Sequence, residues 1–143
     1  MTGFAGAALA LLIQLVPQAT PAWTWTLYDD NPLVLANEVP DTARLRSTFE
    51  CEPGSSVVRL SLYPSTPASG FARVSAGSST TTAPFEPAGG NGLRVILRSD
   101  HPVFAAFAAD GHLAVMIGEE KRDIEVQRAH LAKLRRFTEL CAS

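Results

Sequence analysis

Two cysteines, Cys51 and Cys141, stand 90 residues apart in a chain of 143, and any fold must account for both. Around the first, alternation sets Leu45, Phe49 and Cys51 on one face and Arg44, Arg46, Thr48 and Glu50 on the other, the period of a strand. Around the second, Leu134, Phe137 and Cys141 follow the i, i+3, i+7 spacing of a helical stripe, with Lys133, Arg135, Arg136 and Glu139 off it. Both sulfurs are therefore predicted to face inward. An even cysteine count suits one disulfide in an oxidising compartment, and the spacing excludes a zinc site built on CxxC pairs. Such a bridge would clasp the last helix to a strand and close a loop of about 90 residues, worth on the order of 4 kcal/mol in the loop-entropy account.

The start of the chain points to the same compartment. Residues 3–16 read GFAGAALALLIQLV, apolar except for Gln14. A span needs roughly 20 apolar residues, so this run is too short to cross a bilayer but suits the core of a signal peptide. Thr20-Pro21-Ala22 places small residues at the third and first positions before a cut after Ala22, with Ala19 as a second choice. No Lys or Arg precedes the apolar run, which leaves the amino terminus as its only positive charge. The reading is a leader over 1–22 and a single domain over 23–143, extracytoplasmic and, in a bacterium, periplasmic. Its alternatives are a leader retained as an anchor and a buried helix of a cytosolic domain. No stable membrane span is expected once the leader is removed.

The formal net charge of -2 provides no basic field for a phosphate backbone, so no nucleic-acid partner is expected. Within residues 23–143 short alternating runs recur between turn signals. Trp23–Tyr28 alternates in strand-favouring residues, and Leu33–Ala36 is a second apolar run. Arg44–Cys51 and Val57–Tyr63 form a hairpin through Pro53-Gly54, a pair suited to a type II turn. The Ser, Thr, Gly and Pro-rich tract 64–92 is read as edge strands over 71–76 and 80–85, because a structureless loop of that length is unusual in a compact domain. Leu93–Arg98 is another strand. VFAAFAADGHLAVMIG, over 103–118, is read as a central hairpin turning at Asp110-Gly111. Glu119–Arg122 is a charged turn, Asp123–Val126 a last short strand and Ala129–Cys141 the closing helix. The predicted class is mostly β: an antiparallel meander sandwich or rolled sheet with one C-terminal α-helix packed on it.

Catalytic signatures are sparse. His101 and His112 fall at opposite ends of the expected hairpin, about 25 Å apart, and cannot share a metal. His130 reads as a surface or capping residue. No HExxH, Gly-x-Ser-x-Gly or phosphate-loop motif occurs, and the adjacent acids Asp29-Asp30 and Glu119-Glu120 point apart in extended turns. No catalytic residue, metal site or cofactor is assigned. Two groups could bind. Trp23 and Trp25, with Tyr28 and Tyr63, could form an aromatic platform, although their alternation favours core packing. Arg44, Arg46 and Arg59 would form a short cationic strip beside Glu50 and Glu52, a solvated face with cross-strand ion pairs or an anion site.

The functional expectation is a small exported, non-catalytic domain that binds a protein partner or a cell-envelope component. One alternative is a small envelope hydrolase using His101 with Asp100 or His112 with Asp110. Another is an inhibitor of a secreted enzyme that presents a rigid loop at 64–69 or 84–92.

Overall fold

A computed structural model describes residue 3 and residues 22–143, so the expected leader lies almost wholly outside the described residues. Nine strands make one antiparallel sheet. Four come first as a meander: β1 (Thr24–Tyr28), β2 (Leu33–Glu38), β3 (Leu45–Cys51) and β4 (Val57–Leu62). The next three, β5 (Gly70–Ala76), β6 (Ser79–Pro87) and β7 (Leu93–Arg98), run back so that β7 pairs with β4. β8 (His112–Ile117) pairs with β5, and β9 (Glu120–Glu125) lies beyond β8. The order across the sheet is β1-β2-β3-β4-β7-β6-β5-β8-β9, and the sheet rolls into a half-barrel.

Three local expectations are corrected. β5 and β6 are interior strands, because β8 covers one side of the pair and β7 the other. β9 begins at Glu120, inside the run expected to turn; only Gly118 and Glu119 turn, with Gly118 at φ 60°. On this sheet-margin strand Lys121, Asp123 and Glu125 alternate away from the buried Ile124 and are exposed, and Lys121 and Asp123 approach to 3.7 Å. Leu45, expected inward, is 36% exposed, since the β2–β3 register shifts at Asn37/Glu38 and releases the start of β3.

The largest correction falls on residues 103–110. They form a helix, α1 (Pro102–Asp110), where the sequence suggested one arm of a hairpin. Pro102 supplies a helical φ at the first turn, and His101 caps the end, its Nδ1 accepting the Val103 N–H at 3.0 Å. The alanines then favour the helix, having the highest propensity of any residue. Gly111 ends it in the left-handed region at φ 81°, its N–H donating to the Phe107 carbonyl at 2.7 Å. Asp110-Gly111 is thus a helix stop. The hairpin that does form is β8–β9, one element later.

A 3-10 turn (Arg128–His130) leads into the second helix, α2 (Leu131–Ala142). As the spacing predicted, α2 buries Leu134, Phe137 and Cys141. Both helices pack against the sheet and against each other. Phe49, at the middle of β3, holds the centre of the core: its ring lies 6.0 Å from Trp25, 6.2 Å from Phe104, 5.2 Å from Phe107 and 6.3 Å from Phe137, centroid to centroid. All five rings are fully buried.

Cys51 and Cys141 are joined, with Cα atoms 5.7 Å apart. The β3–β4 turn also completes the end of α2: the Gly54 N–H donates to the Leu140 carbonyl at 3.3 Å and the Ser56 N–H to the Cys141 carbonyl at 3.0 Å. Helix ends leave their last carbonyls without intrahelical donors, and here the turn supplies two. Among the described residues no helix is long and apolar enough to cross a membrane.

Candidate functional site

The chain enters β1 through Trp23, the residue just before the strand. Trp25 goes into the core, whereas Trp23 stays half-buried outside it, which separates two residues the periodicity placed together. The ring of Trp23 is met by the start of β3: the Arg46 guanidinium carbon lies 4.0 Å from the ring centroid and that of Arg44 5.5 Å. Guanidinium over an indole face gains about 0.5–1 kcal/mol at exposed sites. A stacked guanidinium still has its in-plane N–H fork free for a carboxylate.

The third arginine of the expected strip behaves differently. Arg59 pairs with Glu50 at 3.0 Å and approaches Glu52 at 3.9 Å, so its charge is locally balanced. Among the described residues, neither Arg44 nor Arg46 has a carboxylate within 4 Å.

Two clefts open beside this stack. One, of about 530 Å³, is lined by Trp23, Arg44, Arg46, Tyr63 and Asn91 among others. The second, of about 510 Å³, lies where β9 passes the ends of β2, β3 and β4, and its lining includes Asn37, Arg46, Ser47, Tyr63, Arg122 and Gln127. They share Arg46, Tyr63 and Pro64. Both volumes fall in the usual range for ligand pockets, and the mouth of a β-barrel is a frequent place for one.

The shared wall is held firmly. Arg122 donates from Nη2 to the Tyr63 carbonyl at 3.1 Å, and from Nη1 to the Pro64 carbonyl at 3.0 Å and Ser65 Oγ at 3.3 Å. The Tyr63 N–H donates to the Arg46 carbonyl at 2.9 Å, and the Ser65 N–H to the Asn91 carbonyl at 2.7 Å. A site built this way loses little entropy when it is filled.

The histidines do not converge. His101 spends Nδ1 on the α1 cap, and its neighbour Asp100 is gripped by Arg98 through two 2.8 Å bonds. The hydrogen bond from Arg98 holds the Asp100 carboxyl below the usual carboxylate range. Asp110 accepts the backbone N–H of His112 at 2.9 Å, serving the turn rather than the imidazole. His130 Nδ1 lies 3.3 Å from Lys133 Nζ, which donates to the Trp25 carbonyl at 2.6 Å. Burial, and then the Lys133 charge, push the His130 pKa down. Among the described residues no group of three or more His, Cys, Asp or Glu gathers where a metal could be held.

Asn37, Ser47, Arg122 and Gln127 were not picked out as site residues by the sequence, whereas Tyr63, named there with the tryptophans, does line both clefts. For two of them a signal existed. Ser47 precedes Phe49 and Cys51 in an inward row, and Asn37 follows Leu33 and Leu35 in another; a polar residue continuing an apolar row points into a cavity or a bond. Comparison with protein families, curated proteins and solved structures found no match to this chain.

Proposed function

We propose that this chain is an exported, non-catalytic binding domain whose partner, a protein surface or an envelope component, presents negative charge to Arg44 and Arg46. The observation that carries this reading is the pair of guanidiniums stacked on Trp23 with no carboxylate of their own, beside two clefts that share Arg46. An unneutralised arginine pair in a molecule of net charge -2 is a local exception to its overall field. Export is supported by the leader-like segment and by the Cys51–Cys141 bridge, which persists only in oxidising surroundings.

A second reading, inhibition of a secreted enzyme, draws on the 2.7 Å bond from Ser65 to Asn91. It ties together the two loops that would be presented.

To test the binding reading, the full chain is passed over immobilised polyglutamate, a uronic-acid polymer and polyphosphate, with polylysine as the control. Salt-sensitive retention by at least one polyanion, lost in the double variant Arg44→Ser/Arg46→Ser, is expected. Retention by none, or retention unchanged in that variant, overturns the reading.

A further inference from the structure

Resting on that reading, we infer that the joined clefts take an acidic saccharide, a sugar chain bearing carboxylates, with one carboxylate on Arg46 and the ring hydroxyls inside the barrel mouth. Three observations support a sugar over a peptide.

First, the second cleft is lined by Asn37, Ser47 and Gln127, none of which has a side-chain hydrogen bond among the described residues. Amides and a hydroxyl offer donors and acceptors together, as a polyhydroxylated ring requires.

Second, Ser47 is only 4% exposed, and its hydroxyl is not among the buried side-chain atoms left without a partner, so the little surface it keeps opens that hydroxyl to the cleft it lines.

Third, the apolar lining of the second cleft is poor. Leu62 and Ile124, at 1% and 5% exposed, belong to the core and present almost no surface to an apolar peptide anchor. Peptide interfaces depend on such anchors.

Arg46 stands at the junction of the two clefts. Its stack on Trp23 fixes the guanidinium plane and leaves the N–H fork for one planar carboxylate, while Arg44 adds a second positive charge. The half-buried ring of Tyr63, held in place by the Arg122 clamp on its carbonyl, gives a saccharide ring a wall common to both clefts.

Calorimetric titration of the full chain with a short galacturonic-acid oligomer tests this. Its neutral methyl ester, a sulfated neutral oligosaccharide and a glutamate oligomer of equal charge serve as comparison ligands. The uronic oligomer should bind most tightly, and the ester should lose about tenfold or more, as expected for removing a hydrogen bond to a charged group. Ser47→Val, which fills the cavity, should weaken the uronic oligomer by a similar factor. Gln127→Leu, at an exposed position where folding is not at stake, should do so too.

Tighter or equal binding of the glutamate oligomer removes the saccharide inference and leaves the anionic-partner reading standing. Preference for the sulfated sugar removes the carboxylate assignment. Failure of all four ligands, while a polyanion is still retained through Arg44 and Arg46, overturns this inference alone; if no polyanion is retained either, both readings fall.

Discussion

The indole N–H of Trp25, on the first strand, donates to the backbone carbonyl of Glu125, on the last strand, at 3.0 Å. These strands occupy opposite margins of the nine-stranded sheet, so one side chain spans the seam where the roll would otherwise stay open. The same residue's carbonyl accepts from Lys133 of α2 at 2.6 Å, which ties the seam to the helix.

Replacing Trp25 should therefore open the seam as well as create a cavity. Trp25→Ala is expected to cost about 3–5 kcal/mol, the usual range for emptying a buried large aromatic site. Trp25→Phe keeps most of the apolar volume and loses the seam bond, with an added cost of about 1 kcal/mol for that bond. Urea unfolding of the variants against wild type measures both. A Phe variant as stable as wild type would show that the seam bond contributes nothing.

The Cys51–Cys141 bridge closes most of the chain into one loop and sits where the β3–β4 turn donates to the last carbonyls of α2. Cys51→Ala/Cys141→Ala should lose on the order of 4 kcal/mol of stability, read from chemical denaturation. Thiol labelling of the unreduced, denatured wild-type protein should modify no site. Two labelled cysteines per molecule would show that the bridge does not form.

Gly111 is held at φ 81°, and a Cβ built there would collide with the Val126 carbonyl, whose own N–H donates back to the Gly111 carbonyl at 2.8 Å. Gly111→Ala meets both the left-handed penalty and the clash, and should destabilise by about 1–3 kcal/mol. Gly89→Ala, also at positive φ but with open space around its Cβ direction, should cost less. Thermal unfolding of the two variants side by side gives the comparison.

His130 makes stability depend on pH. Its pKa is lower in the folded protein than the ordinary 6.5, first through burial and then through Lys133. The unfolded chain therefore binds more protons there, so the contribution is complete above the ordinary histidine range and is lost as pH falls below about 6.5. Melting temperature should drop between pH 7.5 and 5.5, and His130→Gln should flatten that part of the profile. An identical slope in the variant would assign the effect to other groups.

Much of the architecture is readable from local pattern. Of the alternating Leu45, Phe49 and Cys51 the last two ended buried, as did the whole stripe Leu134, Phe137 and Cys141, because each is a single-period signal with polar residues on the opposite side. Residues 103–110 misled for the converse reason. VFAAFAAD is apolar or small all round and carries neither period clearly, so its end signals had to decide. Pro102 and Gly111 are equally at home bounding a helix and bounding a hairpin.

The clefts show where spacing along a chain stops informing. Trp23, Arg46, Ser47, Tyr63 and Gln127 belong to four separate segments, each unremarkable alone. They meet because β7 inserts beside β4 and carries β5, β8 and β9 round until the last strand faces the first. Strand period, helix stripe and turn chemistry follow from sterics within a few residues, and the chain states them directly. Which edges pair, and hence which distant side chains share a cavity, depends on how all the apolar faces are buried at once, and no stretch of residues carries that alone.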